Sequence, residues 1–471
     1  MNQDPAPLLQ AAQHYLDVDD AAFYMPAHKR GKSIDRELQT LMGANVFRLD
    51  LPELPDLEEP IALAEELAAE AYGSDRAWFL TNGSTCGVQA MLLATCQEGD
   101  KILIGRNCHK AAIAGLVLSG AKPIYLPTDY LPEFDLDLGV SPQTLELFLH
   151  QHPDAKAVML VSPNYFGVCG DLEKIAAIAH SFGIPLLVDA AHGAHLGFHP
   201  DLPISALQAG ADLVVQSTHK MAGSLTQSSI LHLQGDRVNA AQIDRALELL
   251  RSTSPNLLLM ISLDVARRQM ATQGKALLRE TLRLSREVRS QLSQIHKLQT
   301  FSQIEVPTLD ETRLTVMVNQ LGITGFEVDQ YFHEQLNVMA EMPTLTQLVF
   351  SLSIGNTQID CDRLVVAFQK LVQDNREGGA KRRPLDYLIT PKSLLTPRQA
   401  YFAKSIRVDL QQAIGRTSVE SLCPYPPGIP LVCIGEEITG EVVEILQAIL
   451  RSGGVINGAS DRSLETILVV E

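Results

Sequence analysis

The chain has 471 residues, 46% of them hydrophobic and 20% charged, which supplies large buried cores and excludes a disordered chain. At roughly 150 residues per domain, this length predicts about three domains, or a large one with satellites. Lys plus Arg number 38 against 55 Asp plus Glu, a net charge of −17 that argues against a nucleic-acid partner; the one dense basic run, Lys381-Arg382-Arg383, adjoins Gly378-Gly379 and reads as a solvated linker.

Met1 to Leu16 has neither a basic start nor a continuous apolar stretch, so no secretory signal is expected there. No apolar run approaches the ~20 residues of a membrane-spanning helix, and no membrane partner is expected. Ile61–Tyr72 is rich in Ala, Leu and Glu and predicts a helix. Ala77–Leu80 follows as a strand, Thr85–Cys96 as a helix, Lys101–Ile104 as a strand, Lys110–Ser119 as a helix and Ile124–Leu126 as a strand. Ser141-Pro142 is an N-cap with a first-turn proline, opening a helix to His150. Ala157–Val161 is a strand, Asp171 caps a helix ending at Gly183, and Pro185–Val188, Leu213–Val215 and Ile230–Leu233 are further strands. Continuous apolar strands joined by helices imply an α/β fold whose mostly parallel sheet is covered on both faces and binds ligands at the strands' carboxyl ends.

After Ala240, two or three long Leu- and Arg-rich helices run to about Gln294. An α+β unit follows from about Thr300 to Val372, with strands at Leu314–Val318 and Leu348–Leu352. The polar stretch from Asp374 to Pro391 reads as a linker. The expected division is 1–56 as an N-terminal arm, 57–298 as a large domain, 299–373 as a small α+β domain, 374–395 as a linker and 396–471 as a C-terminal domain. The cysteines at 86, 96, 108, 169, 361, 423 and 433 include no Cys-x-x-Cys pair and are odd in number, which predicts reduced, buried thiols and a cytoplasmic location.

Neither a Walker-type loop, a Gly-x-Gly-x-x-Gly nor a Gly-x-Ser-x-Gly elbow is present. The chemistry is instead spread over the ends of successive strands. Thr81-Asn82-Gly83-Ser84-Thr85-Cys86-Gly87 follows one strand and opens a helix; its small residues, its hydroxyls and the helix N-terminus all favour an anion, although an ordinary capped turn uses the same residue types. Asp189 closes a strongly apolar strand, and a buried carboxylate there requires a partner such as a protonated pyridine nitrogen, a salt bridge or a helix cap. Ser217-Thr218-His219-Lys220 follows the next strand; Lys220 in a cleft would be desolvated and nucleophilic toward an aldehyde, whereas most lysines are simply exposed. His109, within Arg106-Asn107-Cys108-His109-Lys110, is placed to stack on a planar ring or to cap a helix. Together, a phosphate cradle, a stacking ring, a buried carboxylate and a Schiff-base lysine make up a site for pyridoxal 5'-phosphate.

Phe79–Gly87, Arg106–Lys110, Val188–His195 and Gln216–Lys220 resemble the pyridoxal-phosphate-dependent Orn/Lys/Arg decarboxylases, as do Met25-Pro26-Ala27-His28-Lys29, Leu49–Leu57 and Pro424–Pro430. The resemblance spans nearly the whole chain. It implies the aspartate-aminotransferase-like fold (fold type I), in the short form that lacks an N-terminal wing domain, and decarboxylation of arginine, lysine or ornithine to the amine in polyamine metabolism. It also implies a homodimer or dimer of dimers with active sites at the subunit interface. By resemblance, Lys220 carries the cofactor, Asp189 faces the pyridine nitrogen and His109 stacks on the ring opposite Ala191. Gly83, Ser84, Thr85 and Ser217 take the phosphate, His192 and His219 lie near the cofactor, and Ser252-Thr253-Ser254-Pro255 approaches a neighbouring subunit's phosphate. Catalysis is expected from Lys220, His219 and Asp189. Three positions depart from the family pattern: Ala27 for Gly, Ala190 for a frequent Glu, and Ile434 near a common Pro.

A cationic substrate needs an acidic reader, for which Glu341 and Glu436 are candidates. His192, His195 and His199 are spaced like zinc ligands, but Gly193 and Gly197 oppose the helix that would align them, and no metal is expected. Two rival functions use the same parts. One is an aminotransferase, which would hold the substrate carboxylate with an arginine such as Arg363, Arg398, Arg407 or Arg416. The other is a non-catalytic, cofactor-binding regulator.

Overall fold

The computed structural model describes residues 1–17, 21–51, 55–306, 308–374, 391–425 and 428–471. Residues 375–390 of the expected linker, Lys381-Arg382-Arg383 among them, therefore fall outside the described residues, as do positions 52–54 of the Leu49–Leu57 stretch and Pro426-Pro427 of the proline-rich motif. Helix α1 (Pro7–Asp17) starts the chain, and α2 (Glu58–Tyr72) packs beside it. The central sheet then uses β1 (Arg76–Leu80), β2 (Lys101–Gly105), β3 (Lys122–Leu126), β4 (Ala157–Val161), β5 (Leu186–Asp189), β6 (Leu213–Gln216) and β7 (Ser229–Leu233). The connecting helices are α3 (Gly83–Thr95), α4 (Lys110–Ser119), α5 (Pro142–Gln151) and α6 (Leu172–Ser181). Helix α5 begins as its sequence predicts, with the Ser141 hydroxyl accepting from Thr144 N–H and proline in the first turn; Asp171 caps α6 through Lys174 N–H.

The strand order is β1-β7-β6-β5-β4-β2-β3. The pairings β2–β3, β2–β4, β4–β5 and β5–β6 are parallel, whereas β7 runs antiparallel to both β6 and β1. Because β7 alone is reversed, β1 ends at the same sheet edge as β2, β4, β5 and β6. That topology delivers the start of α3 to the edge where Asp189 and Lys220 emerge. Every residue of β5, β6 and β7 is buried, as expected of strands covered on both faces. One core lies on each face, the first around Leu103, Val158, Val188 and Val214, the second around Ile104, Met159, Leu187 and Val215. Helix α3 packs so closely that a Cβ on Gly87 would lie 2.5 Å from Val215 Cγ2 and 2.9 Å from Leu80 Cδ1, so glycine is required there for the approach.

After α7 (Ala240–Leu250), α8 (Leu257–Ser293) serves two cores: Leu257, Met260 and Ile261 pack with the central sheet, while Leu284, Val288 and Leu292 pack with the small sheet. That small sheet is β8 (Arg313–Met317), β9 (Met342–Pro343) and β10 (Gln347–Ser351), in the order β8-β10-β9 and antiparallel throughout. Helix α9 (Gln358–Asp374) backs it through Leu364, Phe368 and Leu371. The C-terminal unit pairs β11 (Ser405–Asp409) with β12 (Thr466–Val470) and packs α10 (Gly440–Arg451) into its own core.

Candidate active site

Asp189 is the last residue of β5, and Lys220 lies in the short turn of helix that follows β6, the neighbouring parallel strand. Asp189 is 4% exposed. Its Oδ1 accepts Ala191 N–H at 3.1 Å. Burial pushes its carboxyl above the usual range, while His109 and Lys220 pull it back. A buried carboxylate set among nitrogen groups in this way is suited to take a positive group. Burial draws the Lys220 ammonium below its ordinary value, and Arg313 adds to this against the opposing pull of Asp189 and Glu341. Its Nζ lies 3.2 Å from His192 Nε2 and 6.0 Å from the centre of the Tyr165 ring.

The cradle is assembled from two strand ends. Asn82 gives α3 no side-chain cap, so the first N–H groups of this 13-residue helix are left for an anion. Gly83 turns the chain at φ 76°, in the left-handed region where a side chain is strained. Ser217 donates its hydroxyl to Ser84 Oγ at 2.8 Å, bringing the expected phosphate ligands from β1 and β6 together, while Thr85 is exposed on the same helical turn. His109 accepts Ala111 N–H on Nδ1 at 3.2 Å. Capping and stacking are therefore compatible: the cap fixes the ring, whose electrostatic neighbours are Asp189 and Lys220. Ala191 is buried two residues after Asp189. His219 is half-buried and directs Nδ1 to the Ser228 carbonyl at 2.8 Å, which places the proton on Nδ1 and leaves Nε2 as the basic nitrogen. The open helix start, the buried carboxylate and the desolvated amine form a donor set that fits pyridoxal phosphate.

Thr253 and Ser254 are exposed on the rim, in a loop whose Ser252 N–H reaches Asn82 Oδ1 of the same chain at 3.5 Å. The two candidate acids separate clearly. Glu436 is 1% exposed and ion-paired with Arg106 at 3.0 Å; a carboxylate consumed in that way is not free to read a substrate, and this expectation is corrected. Glu341 is exposed beside β9, and its charge acts on Lys220, His219 and Arg313. The zinc-spaced histidines have three different partners: His192 faces Lys220 and Arg313, His195 pairs with Asp310 at 3.0 Å, and His199 accepts Asp201 N–H. Arg398 and Arg416 bind backbone carbonyls, Arg407 binds Thr466 and Ser460, and Arg363 lies beside Asp360. Among the described residues, Arg313, at the start of β8, is an arginine that does reach the site, and the sequence pattern did not single it out. It is 1% exposed and donates to His192 Nδ1 at 2.6 Å.

A separate apolar cavity lies among the three units, lined by Asp135, Asp137, Phe166, Phe326, Leu345 and Ile449 among others. None of Lys220, Asp189, His109 or His192 borders it. Both acids already have hydrogen-bond donors within the protein: Tyr130 and Thr346 for Asp135, Asn107 and Gly139 for Asp137.

Comparison with known proteins agrees with this geometry. A family model described as Orn/Lys/Arg decarboxylase, major domain, matches residues 6–320, and one described as Orn/Lys/Arg decarboxylase, C-terminal domain, matches residues 384–457. The arginine decarboxylase of Bacillus subtilis (strain 168) is 37% identical, with the alignment covering all of this chain and 99% of the relative. That of Bacillus anthracis is 35% identical over all of this chain and 98% of its own. The crystal structure of the Francisella novicida lysine decarboxylase LdcF superposes with a TM-score of 0.85 at 22% identity, covering 99% of this chain and 81% of that one. That likeness establishes the fold, the fold type I architecture with a mostly parallel central sheet.

Proposed function

We propose, from the premise that this chain belongs to the Orn/Lys/Arg decarboxylase family and decarboxylates a basic amino acid, that arginine is its preferred substrate and agmatine its product. The support is that its full-length relatives at 37% and 35% identity are arginine decarboxylases. The observation that carries the site assignment is the pairing of a desolvated Lys220 amine with a buried Asp189 carboxylate on adjacent strand ends.

The family's cofactor, pyridoxal phosphate, would supply when bound an electron sink, conjugated through the substrate's amino nitrogen, for the electron pair left on the α-carbon as carbon dioxide departs. The residues of this chain do the rest. Gly83, Ser84, Thr85, Ser217 and the N-terminus of α3 bind the phosphate. Asp189 holds a proton on the ring nitrogen, where charge develops. His109 and Ala191 would confine the cofactor ring. Lys220 Nζ, or the basic Nε2 of His219, delivers the proton that replaces the lost carboxylate. Glu341 receives the substrate's cationic end. It stands exposed at the mouth of the site, where binding would remove it from water.

The working form is a homodimer or dimer of dimers in the cytoplasm. Phe23, Met25 and Leu41 of the N-terminal arm are 94%, 73% and 83% exposed, an apolar surface that a second copy would cover. Thr253 and Ser254, exposed on the rim, would contact that copy's phosphate. Seven free, buried cysteines suit a reducing compartment.

The test is incubation with arginine, lysine and ornithine, each with and without a keto acid. Carbon dioxide release independent of keto acid, with the highest kcat/KM for arginine, is expected. Turnover that requires the keto acid would point to an aminotransferase, and absence of any turnover to a cofactor-binding regulator.

A further inference from the structure

Arg313 is a buried charge in the site that the proposed chemistry leaves without a task. It is buried at the start of β8, and one guanidinium nitrogen serves both His192 Nδ1 at 2.6 Å and Met221 Sδ at 3.4 Å. On the other side of the imidazole, Nε2 lies 3.2 Å from Lys220 Nζ. The three groups form one line from the small sheet to the amine: guanidinium, imidazole, lysine.

Proton counting determines how that line works. A guanidinium has donors and no acceptor, so His192 Nδ1 must be the acceptor and carry no proton. A neutral imidazole then has its proton on Nε2. An Nε2–H group can bond to Lys220 only if Nζ accepts, and only the uncharged amine can accept. The opposite arrangement, an ammonium donating to Nε2, would require both ring nitrogens to be bare. We propose that Arg313 is a positioning residue that acts through His192, locking the imidazole in its Nε2–H form so that Lys220 is held as a neutral amine. The inference rests on Lys220 being the amine that takes the aldehyde, and it adds the device that keeps that amine reactive.

The electrostatic surroundings agree. Burial draws His192 well below its ordinary value, and Arg313, Lys220, His109 and His195 all act in the same direction. Around Lys220, burial foremost and then Arg313 favour the neutral amine, Asp189 and Glu341 favour the ammonium, and the half-buried His219 and Tyr165 complete the shell. Two carboxylates would hold an isolated lysine charged. A fixed donor offsets them where another carboxylate could not.

The test uses the full chain freed of cofactor. Nitrogen-15 NMR of histidine-labelled wild type should show His192 as the neutral Nε2–H tautomer; an Nδ1–H tautomer or an imidazolium at neutral pH overturns the proposal. Competitive labelling of Lys220 by acetic anhydride, read by mass spectrometry, should slow about tenfold or more in Arg313→Gln, a shift of at least one pH unit in the amine's titration. In a His192→Phe background the same substitution should change labelling several-fold less than it does in wild type, because only the direct charge of Arg313 on Lys220 is then left to lose. An equal effect in both backgrounds would mean that Arg313 acts by direct charge alone and would refute the relay. Borohydride trapping of pyridoxal phosphate on wild-type Lys220 separates the two levels. If trapping fails, the functional reading fails; if trapping succeeds while His192 carries Nδ1–H, only this inference fails.

Discussion

Replacing Arg106 by Met tests how the C-terminal unit is held against the catalytic sheet. Arg106 follows β2, three residues before His109, and is buried. Its guanidinium donates to Glu436 Oε2 at 3.0 Å, to the Leu431 carbonyl at 2.9 Å and to Cys433 Sγ at 2.8 Å, and lies 5.0 Å over the Tyr125 ring. Removing it strands Glu436, which keeps Cys433 N–H at 2.7 Å but loses its counter-charge. Breaking a buried pair from one side costs about 3–5 kcal/mol. The stranded carboxyl can escape by binding a proton. From an ordinary value of 4.5, that escape costs about 3 kcal/mol at pH 7 and about 1 kcal/mol at pH 5. The sign follows: burial already raises the Glu436 carboxyl and losing Arg106 raises it further, so the Glu436 part of the loss is absent below pH 4.5 and grows as pH rises. The orphaned Leu431 carbonyl adds about 1 kcal/mol at every pH. Hydrogen exchange of residues 432–438 reads the opening free energy without needing a single global transition. The expected loss is about 4 kcal/mol at pH 7 and about 2 at pH 5, and Arg106→Met/Glu436→Gln should recover most of the pH-7 deficit. A pH-independent loss, or a double variant no better than the single, would refute the reasoning.

Glu341→Gln should lower kcat/KM for arginine by about 10- to 100-fold, the value of one charge-assisted contact of 1–3 kcal/mol, while leaving turnover of the uncharged isostere citrulline unchanged; equal losses for both would remove Glu341 from substrate reading. Gly87→Ala drives a methyl group toward Val215 and Leu80; we expect about 1–3 kcal/mol of destabilisation and weaker phosphate affinity, measured by urea unfolding and by titration with inorganic phosphate. Burial depresses His232 to about 3, so the unfolded chain takes up a proton that the folded one refuses. Stability is therefore full above pH 6.5 and falls on acidification, by about 2 kcal/mol at pH 5. His232→Leu should flatten that part of the pH profile relative to wild type.

What the sequence discloses follows from how local each signal is. Asp189 and Lys220 could be read because each closes or follows a buried, continuous apolar strand, and strand ends of one parallel sheet share an edge. The start of α3 was equally legible, since Gly83, Ser84 and the hydroxyls form one short run. Arg313 was not. It opens a strand of the small sheet, and its meaning depends on β8 approaching the residues that follow β5, a long-range packing event with no local pattern. Glu341 and Glu436 looked alike for the same reason: only the fold shows that one faces the site while the other is buried against Arg106. The division of the chain between large and small units was also blurred, because α8 is amphipathic along its whole length and contributes to both cores.

The most direct measurement is borohydride reduction of the purified chain loaded with pyridoxal phosphate, followed by peptide mapping. One phosphopyridoxyl group per chain is expected, on the peptide carrying Lys220, with its discharge when arginine is added before the reductant. Label on another lysine, or none at all, would contradict it.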